Sequence, residues 1–176
     1  MTTDRLPPED ELTAVTARLR LTPMVAADAD DLHPVLDDAR LHRFTGGSPL
    51  ARDQLRAQIA RWQARSSPGG TEAWLNWTVR LTATGIAVGY VQATVRGRTA
   101  AIAYVVGTAH SGRGIATEAA AAMCEILRTR VGVEELIARI PPDHAASKRV
   151  ARHLGLDPSG ERDRDGEEIW TLRLEP

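Results

Sequence analysis

From Leu75 to Gly107 the chain reads LNWTVRLTATGIAVGYVQATVRGRTAAIAYVVG, alternating apolar and polar residues with a period of two and broken twice by turn-forming residues. That period sends successive side chains to opposite faces, which suits strands half-buried against a core and excludes an amphipathic helix. The breaks, Ala83-Thr84-Gly85 and Arg96-Gly97-Arg98, carry tight-turn chemistry, so the three runs are expected to form an antiparallel meander. The third run, Ala100 to Val106, is almost wholly apolar and is expected at the centre of the sheet, covered on both faces. Directly after it comes HSGRGIATEA, His110 to Ala119, a glycine-rich link into an alanine-rich segment.

Elements flank this block on both sides. ARLRLTPM alternates as an opening strand and ends at Pro23. ADADDLHPVLDDARL offers Asp28 or Asp30 as an N-cap ahead of Leu32, Val35, Leu36 and Leu41, with Pro34 requiring a late start or a kink. The segment beginning at Ser48 reads as a helix with Ser48 as N-cap, Pro49 at the first position and Leu55, Ile59 and Trp62 on one face. Downstream, Thr117 to Arg130 forms a helix with Glu118 in its first turn and Arg128 and Arg130 in its last, complementing the dipole. A strand over Leu136 to Ile140, a helix over Ala145 to Leu154 and a hairpin around Ser159 to Arg162 and Ile169 to Leu174 complete the order. Residues 17–176 are therefore read as one mixed α/β (α+β) domain, and residues 1–16, rich in prolines and acids without periodicity, as a mobile tail.

Length and composition narrow the classes. The chain of 176 residues suits one core, and its formal net charge of -1 excludes binding to nucleic acid by bulk charge. Cys124 is the single cysteine, so neither a disulfide framework nor a cysteine zinc site is available. His110, Asp143 and the other histidines lack metal-ligand spacing, so no metal is expected. No apolar run long enough for a membrane span and no secretory leader is legible, so a cytoplasmic protein without membrane attachment is expected.

A glycine loop between a strand and a helix start presents unpaired N–H groups and the positive end of a helix dipole, which suits phosphate. A Walker loop would need a lysine, and this one has none. A dinucleotide fingerprint would need a third glycine, and Thr117 stands there; Glu134 and Glu135, about twenty residues on, precede the next strand rather than follow it. A pyrophosphate on a short GxG turn, with small Ala116 permitting close approach, remains. The stretch resembles the [QR]xxGx[GA] pyrophosphate loop of the GCN5-related N-acetyltransferases, with Gly112, Gly114 and Ala116 in place and Ser111 where Gln or Arg is usual. Arg18-Leu19-Arg20-Leu21, Val88-Gly89-Tyr90, Ala103-Tyr104-Val105-Val106 and PPDHAASKRVARHLGL (Pro141 to Leu156) look like further landmarks of the RimJ/RimL-like branch.

The resemblance implies a mainly antiparallel mixed sheet of about six or seven strands flanked by about four helices, splayed between its fourth and fifth strands, Ala100–Val106 and Leu136–Ile140. It implies acetyl-coenzyme A as co-substrate in that split, with Ser111, Gly112, Arg113, Gly114, Ile115, Ala116 and Thr117 around the pyrophosphate and Arg113 either a further anion contact or a solvated loop residue. The acceptor is an amine, of a protein N-terminus or a small molecule, and the protein a monomer or homodimer. A backbone N–H at a strand bulge, of Val105 or Val106, is implied as oxyanion donor. Ala151 occupies the position of the family's usual tyrosine acid, which leaves Ser147 to serve the leaving thiolate or to act as a helix cap. His144 replaces the family's Asn and is expected at the cofactor. Glu72 or water is the proton acceptor, and Tyr104 and Trp74 line either the acceptor side or the core. The alternative is an acyl-coenzyme A-binding regulatory module that has kept the fold and lost catalysis.

Overall fold

The structure, a computed structural model, describes residues 6–175. After a 3-10 turn over Glu9–Leu12 come β1 (Ala14–Val15) and β2 (Leu19–Pro23), then α1 (Ala29–Leu36), α2 (Ala39–Thr45) and α3 (Arg52–Trp62). The meander follows as β3 (Ala73–Leu81), β4 (Ala87–Arg96) and β5 (Thr99–Val106). The chain ends with α4 (Ile115–Ile126), β6 (Glu135–Ile140), α5 (Ala145–His153), β7 (Asp157–Arg162) and β8 (Glu168–Arg173). All the strands named join one sheet in the order β1-β2-β3-β4-β5-β6-β8-β7, antiparallel except where β5 meets β6.

The period of two does what it implies. Leu75, Trp77 and Val79 of β3 with Val91, Ala93 and Val95 of β4 form one buried face, against which α4 packs Ile115, Ala119 and Met123. On the other face Met24, Ala29, Leu32, Leu55 and Ile59 form a smaller cluster beneath α1 and α3. Between that cluster and the sheet, Asp28 is buried but accepts from Thr78 Oγ1 at 2.7 Å and Arg80 Nη2 at 2.8 Å, so its charge is compensated.

Four sequence expectations need correction. The tail is shorter than residues 1–16: Leu12 is buried, its carbonyl accepts the Trp77 indole N–H at 2.6 Å, and β1 pairs with β2. The part of that expectation covering residues 1–5 lies outside the described residues. This pairing also brings the sheet to eight strands. The single helix predicted through Leu41 is two helices: α1 accommodates Pro34 and runs on to Leu36, the chain leaves helical geometry at Asp37, and Asp38 caps a new helix, its carboxylate accepting Arg40 N–H at 3.0 Å. Ser48 and Pro49 do not start α3; Ala51 precedes its first turn, donating its N–H to Gln54 Oε1 at 3.0 Å. β5 is central, yet only Ala100 and Ile102 are fully buried, because its C-terminal half lines an opening in the sheet.

That opening comes from how briefly β5 and β6 pair. Their parallel register covers only Thr99–Glu135, Ala100–Leu136 and Ala101–Ile137, after which β5 continues to Val106 and β6 to Ile140 without pairing. β6 stays in register with β8 along its whole length, so the sheet splits on one side of β6 only. The splay expected between Ala100–Val106 and Leu136–Ile140 is present.

Candidate active site

The glycine loop sits at the end of this split. Gly112 and Gly114 both have φ of 75°, a left-handed conformation that a side chain would oppose. α4 starts at once, and its first internal bond runs from Glu118 N–H to Gly114 O at 3.0 Å. The N–H groups of Ile115, Ala116 and Thr117 therefore precede any helical acceptor and project from the positive end of the helix. Ser111 turns back toward its own loop, with Oγ 3.5 Å from Gly107 O, so it does not replace the reach of Gln or Arg.

A clamp from the turn between β1 and β2 holds the loop. Arg18 donates to Arg113 O at 2.9 Å and to Glu118 Oε2 at 2.7 Å, and Thr16 Oγ1 donates to Glu118 Oε1 at 2.5 Å. Burial raises the pKa of Glu118, but the bonds from Thr16 and Arg18 lower it by more, so the carboxylate stays charged at the helix start. The Arg113 side chain is exposed and outside the cleft; its carbonyl is what the loop uses. Ile115 is buried in the core and offers only its N–H.

A cleft of about 620 Å³ runs from the loop along β5 to α2 and α5. Val105, Val106, Tyr104, His144 and Ser147 line it together with the loop residues Ser111, Gly112, Gly114, Ala116 and Thr117. Gly107 N–H donates to Val88 O at 2.9 Å, and the antiparallel alternation then directs the N–H of Val105 toward β4 and those of Tyr104 and Val106 toward the split. The β4–β5 register is unbroken, so the expected bulge is absent there; the irregular step lies between β3 and β4 at Val79/Arg80. Close approach of β4 to β5 depends on Gly89, where an added Cβ would lie 2.1 Å from Val105 O.

Tyr104 and Ser147 meet across the cleft: the tyrosine hydroxyl donates to Ser147 O at 2.9 Å and lies 3.0 Å from Ser147 Oγ. Burial pushes the pKa of Tyr104 up, against the opposing effect of its bond to Ser147, so it remains a protonated donor. Cys124 nearby is pushed up to about 12 by burial and is a neutral packing residue. His144 stacks on Phe44 of α2, ring centroids 3.9 Å apart and planes 14° from parallel. Burial lowers its pKa, with Asp143 opposing, so the neutral imidazole is favoured. At the other end of α2, Asp38 accepts from Arg40 and from Thr108 Oγ1, which holds its carboxyl well below the usual carboxylate range and ties α2 to the turn after β5.

Two expected residues lie elsewhere. Glu72 pairs with Arg96 at 2.7 Å and accepts the Trp74 indole N–H at 3.3 Å, at the end of the sheet where β4 turns into β5. Five residues of strand separate Thr99 there from Tyr104, about 17 Å, so neither Glu72 nor Trp74 serves this cleft. Arg40, Phe44, Thr108, Arg149 and His153 line the cleft but were missed. Ser147, Val150 and His153 on α5, with His144 just before it, recur at intervals of three, a signal that could have shown the last of them. Phe44 carried no comparable signal, being the only phenylalanine in a helix of seven residues.

The phosphate-accepting loop, the split sheet and the connecting cleft define a coenzyme A-type acyl transferase site. The sequence pattern of the acetyltransferase (GNAT) domain matches residues 18–157, and the chain belongs to that family, N-acetyltransferases whose acetyl donor is acetyl-coenzyme A. Among solved structures, an acetyltransferase of the GNAT family from Bacillus anthracis is similar at a TM-score of 0.77 and 18% identity, covering 92% of this chain and 98% of that one. RimJ of Mycobacterium smegmatis, in complex with a coenzyme A disulfide, is similar at 0.75 and 23% identity, covering 88% and 81% of the two chains. RimL, a ribosomal L7/L12 alpha-N-protein acetyltransferase in complex with coenzyme A, is similar at 0.78 and 15% identity, covering 92% and 97%. No protein of curated function matches the chain significantly. Among the described residues, no helix is long and apolar enough to cross a membrane.

Proposed function

We propose that this chain transfers the acetyl group of acetyl-coenzyme A to a primary amine, with the amine of a protein N-terminus as the leading acceptor class and small amines as the other. The observation that carries the reading is the split between β5 and β6 opening onto the N–H cradle of α4. The N–H groups from Gly112 to Thr117 receive the pyrophosphate. Arg149, lining the cleft without an ion-pair partner among the described residues, adds positive charge for the phosphates, whereas the charge of Arg40 is balanced by Asp38.

The thioester then lies along the open edge of β5. Val106 N–H, directed into the split, donates to the carbonyl oxygen as it gains charge. The amine attacks the carbonyl carbon, the carbon–sulfur bond breaks, and the Tyr104 hydroxyl, held by Ser147, protonates the departing thiolate. Tyr104 thus supplies from β5 what Ala151 cannot supply from α5. The preference for a protein N-terminus rests on likeness in fold to RimJ and RimL.

Thiol release from acetyl-coenzyme A is measured across short peptides with free N-terminal serine, alanine or methionine and across alkyl and aminoglycoside amines. Turnover with any of these is expected. Binding of acetyl-coenzyme A in calorimetry without turnover on any acceptor would favour the regulatory module instead.

A further inference from the structure

The cleft has an unusual charge inventory for a site that must take a proton from an amine. Among the described residues lining it are two arginines and three histidines, and no carboxylate. Glu72, the one carboxylate expected from sequence, is bound to Arg96 at the far end of the sheet. A protein base for the amine must therefore be one of the histidines.

Their positions separate them. His110 lies in the turn that enters the pyrophosphate loop, and its Nδ1 is buried without a partner, so it belongs to the phosphate end. His153 has its Nδ1 on Arg149 O at 2.7 Å and sits six residues beyond Ser147 on α5, about 9 Å along the helix. His144 is the residue that precedes α5, three before Ser147; it lines the same cleft and reaches α2 through its stack on Phe44. Its ring forms no hydrogen bond to any described residue, so both nitrogens remain available to a substrate.

We propose that His144, standing where the family carries Asn, is the proton acceptor for the attacking amine, with Phe44 fixing the plane of its ring. The proposal rests on the acetyl-transfer reading above. As the nitrogen lone pair forms the C–N bond and the carbon–sulfur bond breaks, the nitrogen proton passes to the imidazole and then to solvent. The thiolate takes its proton from Tyr104, which solvent restores. The charged and titratable groups on the elements flanking the ring include Asp143 beside it, Arg43 on α2, which pairs with Asp143 at 3.5 Å, Arg40 on α2, which pairs with Asp38 at 2.7 Å, and on α5 Arg149, His153 and Lys148, the last paired with Glu168 at 2.9 Å. Of these cations only Arg149 forms no ion pair among the described residues. Burial of the ring favours the neutral form, which is the form a base needs.

The test compares the wild type with His144→Gln, which keeps a polar side chain, and His144→Phe, which keeps the stack. Acetyl-coenzyme A binding is read by calorimetry, and kcat and kcat/KM for the amine are followed across pH. For the wild type, kcat/KM is expected to rise with pH through an inflection on the acid side of the ordinary histidine value. Both variants are expected to lose that inflection and about a hundred-fold or more of kcat, with acetyl-coenzyme A affinity unchanged within about threefold. Unchanged turnover and pH profile in His144→Gln would overturn the proposal while leaving acetyl transfer standing. Weakened acetyl-coenzyme A binding with kcat intact would overturn it too, making His144 a cofactor contact. A wild type that binds acetyl-coenzyme A yet releases no thiol with any amine would overturn both.

Discussion

Replacing Gly89 with alanine tests whether the edge of the split depends on β4 approaching β5 without a side chain between them. The added Cβ would lie 2.1 Å from Val105 O, 2.9 Å from Val106 Cα and 3.0 Å from Val105 C. All three are backbone atoms, so no rotamer change relieves the clash. An ordinary C···O contact is about 3.3 Å, so the strands must part by roughly 1 Å. Overpacking of this kind costs about 1–3 kcal/mol, which for a domain of this size lowers Tm by roughly 2–12 °C. Because the displaced residues are Val105 and Val106, a shift of that size is expected to cost about a hundred-fold in kcat. The control is Gly97→Ala, at φ 61° with nothing within 4 Å of its Cβ, which should cost about 1 kcal/mol and leave kcat unchanged. Thermal unfolding and thiol-release kinetics on both variants decide it. Wild-type Tm and kcat in Gly89→Ala would refute the reasoning.

Arg18→Ala removes the clamp on the loop but touches neither the split nor α5. Its ion pair with Glu118 is half exposed on the arginine side, so the stability loss is at most about 1 kcal/mol, while calorimetry should show acetyl-coenzyme A binding about fivefold weaker with kcat retained. The same change alters the acid limb of stability: the folded pKa of Glu118 is depressed, so its contribution is present above the unfolded value and lost as pH falls through the folded one. Arg18→Ala should therefore flatten the loss of Tm at acid pH. Tyr104→Phe is expected to lower kcat about a hundred-fold without weakening acetyl-coenzyme A binding, and Ser147→Ala to lower it less, because Ser147 still offers its backbone carbonyl to Tyr104; equal and negligible effects in steady-state kinetics would remove both from proton transfer.

The meander was legible because its first two strands carry the period, its third is an apolar run and its turns carry glycine, and the loop was legible because left-handed glycines before a helix leave a spacing signature. Ser147 and Tyr104 could be named separately, but their bond joins β5 to α5 over 43 positions of sequence, and no local pattern encodes that contact. The misplacement of Glu72 and Trp74 has the same origin. They stand at the start of the meander, and because an antiparallel meander reverses direction at each turn, the start of β3 is level with the start of β5, across β4, and far from its end. β1 was hidden because a strand of two residues shows no periodicity, and its place is fixed by Leu12 filling the core beneath Trp77. The choice between Val105 and Val106 as donor was open to sequence, since backbone N–H groups carry no residue identity. One bond, Gly107 to Val88, sets the alternation that favours Val106.

Amide hydrogen exchange with and without acetyl-coenzyme A tests the central claim most directly, because backbone N–H groups are its essential donors. Saturating acetyl-coenzyme A should slow exchange at Gly112 through Thr117 and at Val106, while Val105, already facing β4, changes little. Protection of Val105 and not Val106, or unchanged exchange across Gly112 to Thr117 with acetyl-coenzyme A bound, would contradict it.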